Sequence, residues 1–341
     1  MRANVGRRHV IQGGLALASL GLISGCGVRM PWIQPATPLR RIGYLSTQRP
    51  DPDPYLDALR QGLRDLGWIE GQNLLIESRH ADGQLDRLPE LAGDLVRLQV
   101  EVIHASSALG AQAVQVVSST MPIVIATAPN PEALGLTTSL ARPDKNVTGL
   151  TSISTGLNAK RIELLREIVP SLRRLGASRN PTFAGTPIYN ETVGGVEDAA
   201  RAFGLQVHWA PMPIPDQAEL ERAFSRFVDE GVDVFLFLPD PVTQGLRAQI
   251  AELGIRHRLP TMGDSLDAAK AGMLAGYGTN FEDQYRRSAA YVDKLLKGAK
   301  PGDLPIERPV KFDFGINQKT AQAIGLTIPP QVLAQGPEII Q

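Results

Sequence analysis

Cysteine is all but missing from this sequence. Cys26 is the only thiol among 341 residues, which excludes an internal disulfide and any cysteine-rich metal site. Aromatic residues make up 5% of the chain, too few for a broad ring platform of the kind carbohydrate binding uses. An excess of one charge is missing too. The 35 basic side chains balance 35 acidic ones, whereas a nucleic-acid binder would carry a basic surplus. The five histidines, at positions 9, 80, 104, 208 and 257, show no metal-ligand spacing. No HExxH, GxSxG, P-loop or GxGxxG signature occurs, so hydrolase, phosphate-binding and dinucleotide readings have no motif behind them. Neither a metal nor a cofactor is expected. What is plentiful is apolar sequence, at 43%, with 33 glycines and 26 prolines. That mixture suits two loop-rich α/β domains with packed cores better than a helical bundle.

The chain begins MRANVGRRHVIQGGLALASLGLISGC. Arg2, Arg7 and Arg8 form a positive segment, and residues 13–25 consist of Gly, Ala, Leu, Ile and Ser. The run is shorter than the about 20 residues of a membrane span and fits the apolar core of a signal peptide. Ile23, Ser24 and Gly25 precede Cys26, an arrangement that resembles a bacterial lipobox. The resemblance implies acylation of the Cys26 thiol, cleavage before it, and anchorage of the mature chain to a membrane by several acyl chains. A plain signal peptide with an incidental cysteine is the alternative. The Arg7-Arg8 pair also resembles a twin-arginine signal, so the export route stays open. Residues 1–25 are thus expected to be a signal peptide, and residues 26–39, which include PATP, a flexible tether.

From Arg40 onward the pattern alternates. RRIGYLS reads as a strand, and YLDALRQGLRDLGW as an amphipathic helix with Leu56, Leu59, Leu63 and Leu66 on one face and a stop at Gly67. NLLIESRHA, VEVIHASS and MPIVIATAPNP read as further strands, with LDRLPELAGDLVRLQ and ALGAQAVQVVSST as the helices between them. This β-α-β succession implies a parallel sheet with helices on both faces. A second unit of similar plan follows NVTGLTSIS (146–154). Its helices are expected in AKRIELLREIVPSL, ETVGGVEDAARAFG, QAELERAFSRFVDEG and TQGLRAQIAELGIRH. Its strands are expected in LRRLGAS, LQVHWAPM and VDVFLFLPDP, the last ending at Asp240. DQYRRSAAYVDKLLKG is a clear late helix, followed by a strand in KFDFGIN and a last helix in QKTAQAIGL. This tail continues neither unit, so the chain is expected to cross back between two lobes. Lobe 1 would comprise 40–150 with part of 277–310, and lobe 2 151–276 with part of 311–341. Several crossovers make a hinge, and hinged two-lobe proteins close on ligands.

The order and spacing of LRDLGWIEGQNLLIESRHADGQLDRLPELAGDLV (63–96), NVTGLTSIS, RIELLREIVP (161–170) and KFDFGINQKTAQAIGLTIPP (311–330) resemble the ABC-transporter substrate-binding proteins of the TrpX type. The resemblance runs from IGYLS to LTIPP and implies two doubly wound α/β lobes of the type I periplasmic-binding fold. It also implies capture of a small solute outside the cytoplasmic membrane and delivery to an inner-membrane ABC permease. Aromatic amino acids are among the ligands of related groups. A monomer is expected, with no nucleic-acid partner.

In open parallel sheets, ligands bind beyond the C-terminal ends of the strands, so two facing lobes place the site in a cleft. Ser46 and Thr47 end the first strand, and Ser106 and Ser107 end the third, at the start of the ALGAQAV helix. Hydroxyls beside the free amides of a helix start suit a carboxylate, while simple capping of the helix is the alternative. Asn130 follows the fourth strand, where the family resemblance implies an Asp suited to an ammonium; an Asn-Pro turn is the alternative. From the second lobe come Asn180, Asp240 and Asp264 at strand ends. Asp240 is the first choice for a cationic ligand group, with a turn role before Pro241 as the alternative. Tyr189 and Tyr277 offer rings for stacking on a flat solute or for hinge packing. Two other functional classes remain open: an exported sensory domain serving a membrane receptor, and an envelope α/β enzyme, for which no nucleophile–base pair is visible.

Overall fold

A computed structural model describes residues 39–50, 53–152, 155–213, 216–238, 240, 242–309, 311–335 and 337–341. The expected signal peptide, the tether and Cys26 lie outside the described residues.

Lobe 1 opens with β1 (Arg40–Ser46), α1 (Pro54–Asp65), β2 (Leu74–His80), α2 (Leu88–Arg97), β3 (Val102–Ala105), α3 (Ala108–Val117), β4 (Ile123–Pro129) and β5 (Val147–Ser152). Its five strands lie in the order β2-β1-β3-β4-β5 and all pair in parallel. The first helix shows how sequence sets the ends of these elements. Asp53 caps α1, its Oδ1 accepting the Leu56 N–H at 3.0 Å, and Pro54 fills the first turn, where no amide is needed. Two residues past the helix end, Gly67 has a φ of 88° that lets its amide reach the Arg64 carbonyl and the Trp68 amide reach that of Leu63. These paired bonds form a Schellman stop that needs a left-handed residue.

Lobe 2 follows with α4 (Asn158–Ile168), β6 (Arg174–Arg179), α5 (Pro187–Ala202), β7 (Gln206–Pro211), α6 (Gln217–Asp229), β8 (Val234–Leu236), α7 (Arg247–Arg256), β9 (Thr261–Gly263), α8 (Leu266–Lys270) and β10 (Ala275–Thr279). The chain then forms α9 (Phe281–Leu296), β11 (Phe312–Asn317), α10 (Gln318–Ile324), α11 (Pro330–Leu333) and β12 (Glu338–Ile340). The second sheet has the order β12-β11-β10-β9-β8-β6-β7. It is parallel except where β11 runs against β10, so it is mixed rather than wholly parallel.

The late helix α9 does not stay with the lobe that β10 leaves. It packs across lobe 1, where Tyr285, Ala289, Val292 and Leu296 share a core with Leu59, Leu63 and Ile76. Gly62 permits this contact: a Cβ there would stand 2.2 Å from the Arg286 carbonyl oxygen. Trp68 Nε1 donates to Asp293 Oδ1 at 2.9 Å and fixes the far end. Beyond α9, Glu307 pairs with the edge of β5, its amide and carbonyl bonding Gly149 and Thr151, before β11 returns to the second sheet. Apolar cores fill both faces of each sheet, with Ile103, Ile123 and Val114 on one face of the first and Phe224, Phe235 and Ile250 on one face of the second.

Two strands differ from the sequence pattern in instructive ways. The charged start of LRRLGAS does not break β6, because Arg173 and Arg174 sit at its entrance with both amides on Asp233 Oδ2, at 2.7 and 2.8 Å. The apolar run toward Asp240 ends as a strand at Leu236. Two residues on, the Leu238 amide donates to the Ser178 hydroxyl at 2.7 Å instead of a neighbouring strand's carbonyl.

Candidate functional site

Between the C-terminal ends of the two sheets lies a cavity of about 390 Å³. This is within the range of small-molecule sites. Lobe 1 contributes the ends of β3, β4 and β5 and the first turns of α3. Lobe 2 contributes the ends of β6 and β9, the start of α5, the segment after β8, and Asn158 and Arg161 of α4. Phe281, at the start of α9, lines it where the chain passes between the lobes.

On the lobe 1 side, Ser107 caps α3, its Oγ accepting the Gly110 amide at 3.2 Å. The hydroxyl hydrogen remains for a second partner, since a serine both donates and accepts. Ser106 is tied down from several directions. Its Oγ accepts the Thr47 amide at 3.2 Å, and its carbonyl accepts Thr127 Oγ1 at 3.2 Å and Tyr285 Oη at 2.9 Å. The Ser152 hydroxyl donates to the Thr127 carbonyl at 3.1 Å. These bonds fix the backbone ends of β3, β4 and β5 against one another and against α9.

Ser106, Ser107, Asn180, Tyr189, Asp240 and Asp264 all line the cavity. Ser46, Thr47 and Asn130 are not among the described residues that do. Ser46 and Thr47 are buried and serve the loops beside β1: the Ser46 hydroxyl accepts the Gln48 amide, and the Thr47 carbonyl accepts that of Gly83. Asn130 takes a left-handed φ of 42°, which asparagine tolerates better than most residues, and its Oδ1 accepts the Ala133 amide at 3.2 Å. Tyr277 packs near Phe312 and Phe314 on the neighbouring strand.

The carboxylates of lobe 2 are engaged within the protein. Asp240 Oδ1 accepts the Val242 and Thr243 amides at 2.8 and 3.1 Å, and Oδ2 accepts the Thr243 hydroxyl at 2.9 Å. Burial raises its pKa, partly offset by these bonds and by the Asn180 side chain. Asn180 shapes the adjacent turn, accepting the Thr182 amide and donating to the Pro213 carbonyl. Asp264 Oδ1 pairs with Arg247 Nη2 at 3.1 Å, both side chains being about nine-tenths buried. Burial disfavours the charge on Arg247, but Tyr55, Asp264 and Asp267 outweigh it and hold the guanidinium pKa above its ordinary value.

Three residues that brace the site are not marked by the sequence pattern of strand ends. Arg161 is 1% exposed yet charged. Its Nη1 donates to Asn158 Oδ1 at 2.7 Å, Nε to the Tyr277 carbonyl at 2.9 Å and Nη2 to the Asp264 carbonyl at 3.1 Å. Burial lowers its pKa to about 10, which leaves it cationic at neutral pH. The signal was present in the periodicity, since position 161 falls on the stripe of α4 that buries Ile162, Leu165 and Ile168. Arg247 and Tyr55 gave no local sign. Tyr55 Oη donates to Asp267 Oδ2 at 3.1 Å, joining α1 of lobe 1 directly to α8 of lobe 2. Among the described residues no cluster of three or more metal-ligating side chains occurs, and no helix is long and apolar enough to cross a membrane.

Two α/β lobes joined by three passages of the chain and a cavity lined from both sides define a cleft-type solute-binding protein. The sequence profile of the family described as ABC transporter substrate binding protein matches residues 49–340, and the chain belongs to that family. A curated relative, the "Tyrosine-binding protein" of Clostridioides difficile, is 24% identical over 277 residues, covering 80% of this chain and 78% of the relative. The crystal structure of a conserved domain protein from Vibrio cholerae is 26% identical, with a TM-score of 0.77 over 88% of this chain and 99% of that one. A Streptococcus pneumonia ABC domain in complex with L-Trp is 22% identical, with a TM-score of 0.76 over 88% and 99% of the two chains. Together these likenesses identify the fold as the type I periplasmic-binding architecture.

Proposed function

We propose that this chain is the extracytoplasmic receptor of an ABC importer of the TrpX type. It captures a small carboxylate-bearing solute between its lobes and presents it, without chemical conversion, to an inner-membrane permease. The observation that carries this reading is the cavity, which draws its lining from strand ends of both lobes and so changes shape when the lobes move. At the lobe 1 end, Ser106, Ser107 and the first amides of α3 are the groups suited to a carboxylate. Phe183, Tyr189 and Phe281 offer apolar and aromatic surface for the rest of the solute. Export through the N-terminal signal and acylation of Cys26 hold the receptor at the membrane, and it works as a monomer.

The test is a thermal-shift screen with amino acids, aromatic acids and other carboxylates. A solute that binds the native form raises the melting temperature in proportion to the logarithm of its concentration over Kd. Loss of the shift in Ser106→Ala and Ser107→Ala variants that remain folded supports the site, and turnover of a bound solute would sink the receptor reading. Mass spectrometry of the membrane fraction tests the anchor: an unmodified Cys26, or cleavage elsewhere, refutes it.

A further inference from the structure

We infer that the solute carries no ammonium group: the cleft is built for an apolar body ending in a carboxylate, such as an arylalkanoic acid, rather than for an amino acid. This rests on the carboxylate reading above and sharpens it.

An α-amino acid brings a cation within about 3 Å of its carboxylate, and a closed cleft compensates that cation best with an anion, because a buried unpaired charge is costly. Among the described residues that line the cavity, only Asp240 and Asp264 are acidic. Asp240 has both oxygens bound to its own turn, through the amides of Val242 and Thr243 and the Thr243 hydroxyl. Taking it for a ligand would unmake the loop that forms the cavity wall. Asp264 is neutralised by Arg247, and the Arg161 guanidinium reaches its backbone carbonyl at 3.1 Å. An ammonium brought there would stand beside two buried guanidinium groups and meet like-charge repulsion in a poorly screened setting.

The lobe 1 side offers no anion in exchange. Its polar groups in the lining are the hydroxyls of Ser106, Ser107, Thr127 and Ser152 and the amide of Gln112. Apart from Arg179 and a few amide and hydroxyl side chains of lobe 2, the remaining lining is largely apolar, with Leu109, Leu134, Phe183, Ile188, Val193 and Leu238 facing the space. A ligand that matches such a surface presents one polar end and an uncharged body.

The experiment is a matched comparison on the full-length protein by isothermal titration calorimetry. 3-Phenylpropanoate and L-phenylalanine differ only in the α-ammonium, and phenethylamine keeps the ammonium and lacks the carboxylate. The expected result is binding of 3-phenylpropanoate at least tenfold tighter than L-phenylalanine, with no binding of phenethylamine. Equal or tighter binding of L-phenylalanine, or any binding of phenethylamine, overturns the inference. Silence from all three overturns it as well. A parallel panel of sugars, polyols and the remaining amino acids separates the two levels of the argument. A binder found only there leaves solute capture standing while this inference falls, and no binder anywhere removes the solute-capture reading itself.

Discussion

Among the described residues, the lobe 1 wall of the cleft presents hydroxyls and no charged side chain, whereas the lobe 2 wall carries Arg161, Arg179, Asp240 and Asp264. By charge alone lobe 2 would do the recognising, but the bonds say otherwise. Arg161 holds the carbonyls of Tyr277 and Asp264, Arg179 lies over the Trp209 ring, Asp240 closes its own turn and Asp264 holds Arg247. The charges of lobe 2 are structural ties. Of the lobe 1 hydroxyls, those of Thr127 and Ser152 are spent on backbone carbonyls, while those of Ser106 and Ser107 each accept an amide and can still donate. Charge in a cleft is therefore a poor guide to what binds there unless its partners are counted first.

The largest expected effect comes from cutting one of the lobe 2 ties. Arg161→Met leaves the Tyr277 and Asp264 carbonyls and Asn158 Oδ1 without their donor, and urea melts should show a loss of about 3–5 kcal/mol. A loss under about 1 kcal/mol would mean that the charge serves a ligand rather than the fold.

Behind the neutral wall lies a group that acid should convert. His104 on β3 is fully buried, stacked on Tyr44, with Nε2 2.8 Å from the Ser288 hydroxyl. Burial depresses its pKa from 6.5 to about 3. The unfolded chain therefore binds a proton that the native chain refuses over this interval. The contribution to stability is complete above about pH 6.5 and is lost as pH falls toward 3, with a slope of about 1.4 kcal/mol per pH unit. Urea melts across this range should show a shallower acid limb for His104→Leu; an unchanged limb would show that other groups govern it.

Smaller effects separate the uses of the lobe 1 hydroxyls. Ser107→Ala removes the cap of α3 and should cost about 1 kcal/mol of stability; an added loss of solute-induced thermal shift, beyond that cost, marks the second use. Tyr55→Phe deletes the hydrogen bond that joins the two lobes through Asp267. At about 0.5–1.5 kcal/mol, it should weaken solute affinity about two- to tenfold with little change in the unliganded melting temperature. An unchanged affinity would mean that the lobes close without this contact.

The helices and the succession of elements were legible because local periodicity and caps decide them: Leu56, Leu59 and Leu63 with Gly67 mark α1 as plainly in sequence as in space. The cleft's lining was half legible, since strand ends point to it. What each lining residue does was not. Asp240 is committed to neighbours two and three residues away, and the turn alternative could be read from the sequence. Asp264 is committed to Arg247, 17 positions off, and Leu238 to Ser178, 60 positions off. No local pattern encodes such pairings. The reversal of β11 against β10 was hidden for the same reason: a strand's own residues do not state its neighbour's direction.

The passage of α9 into lobe 1 has a consequence for engineering and for inheritance. Leu59 and Leu63 are roofed by residues encoded more than 220 positions later, and β11 and β12 complete a sheet whose other strands precede α9. Neither lobe is a continuous stretch of gene. Exchanging one lobe with that of another member of the family takes three splice junctions, near residues 155–157, 280 and 308–309, and a fragment stopped at residue 280 would leave lobe 1 with an uncovered apolar face. Such a pair of lobes can diverge residue by residue, but it cannot be shuffled by a single recombination event.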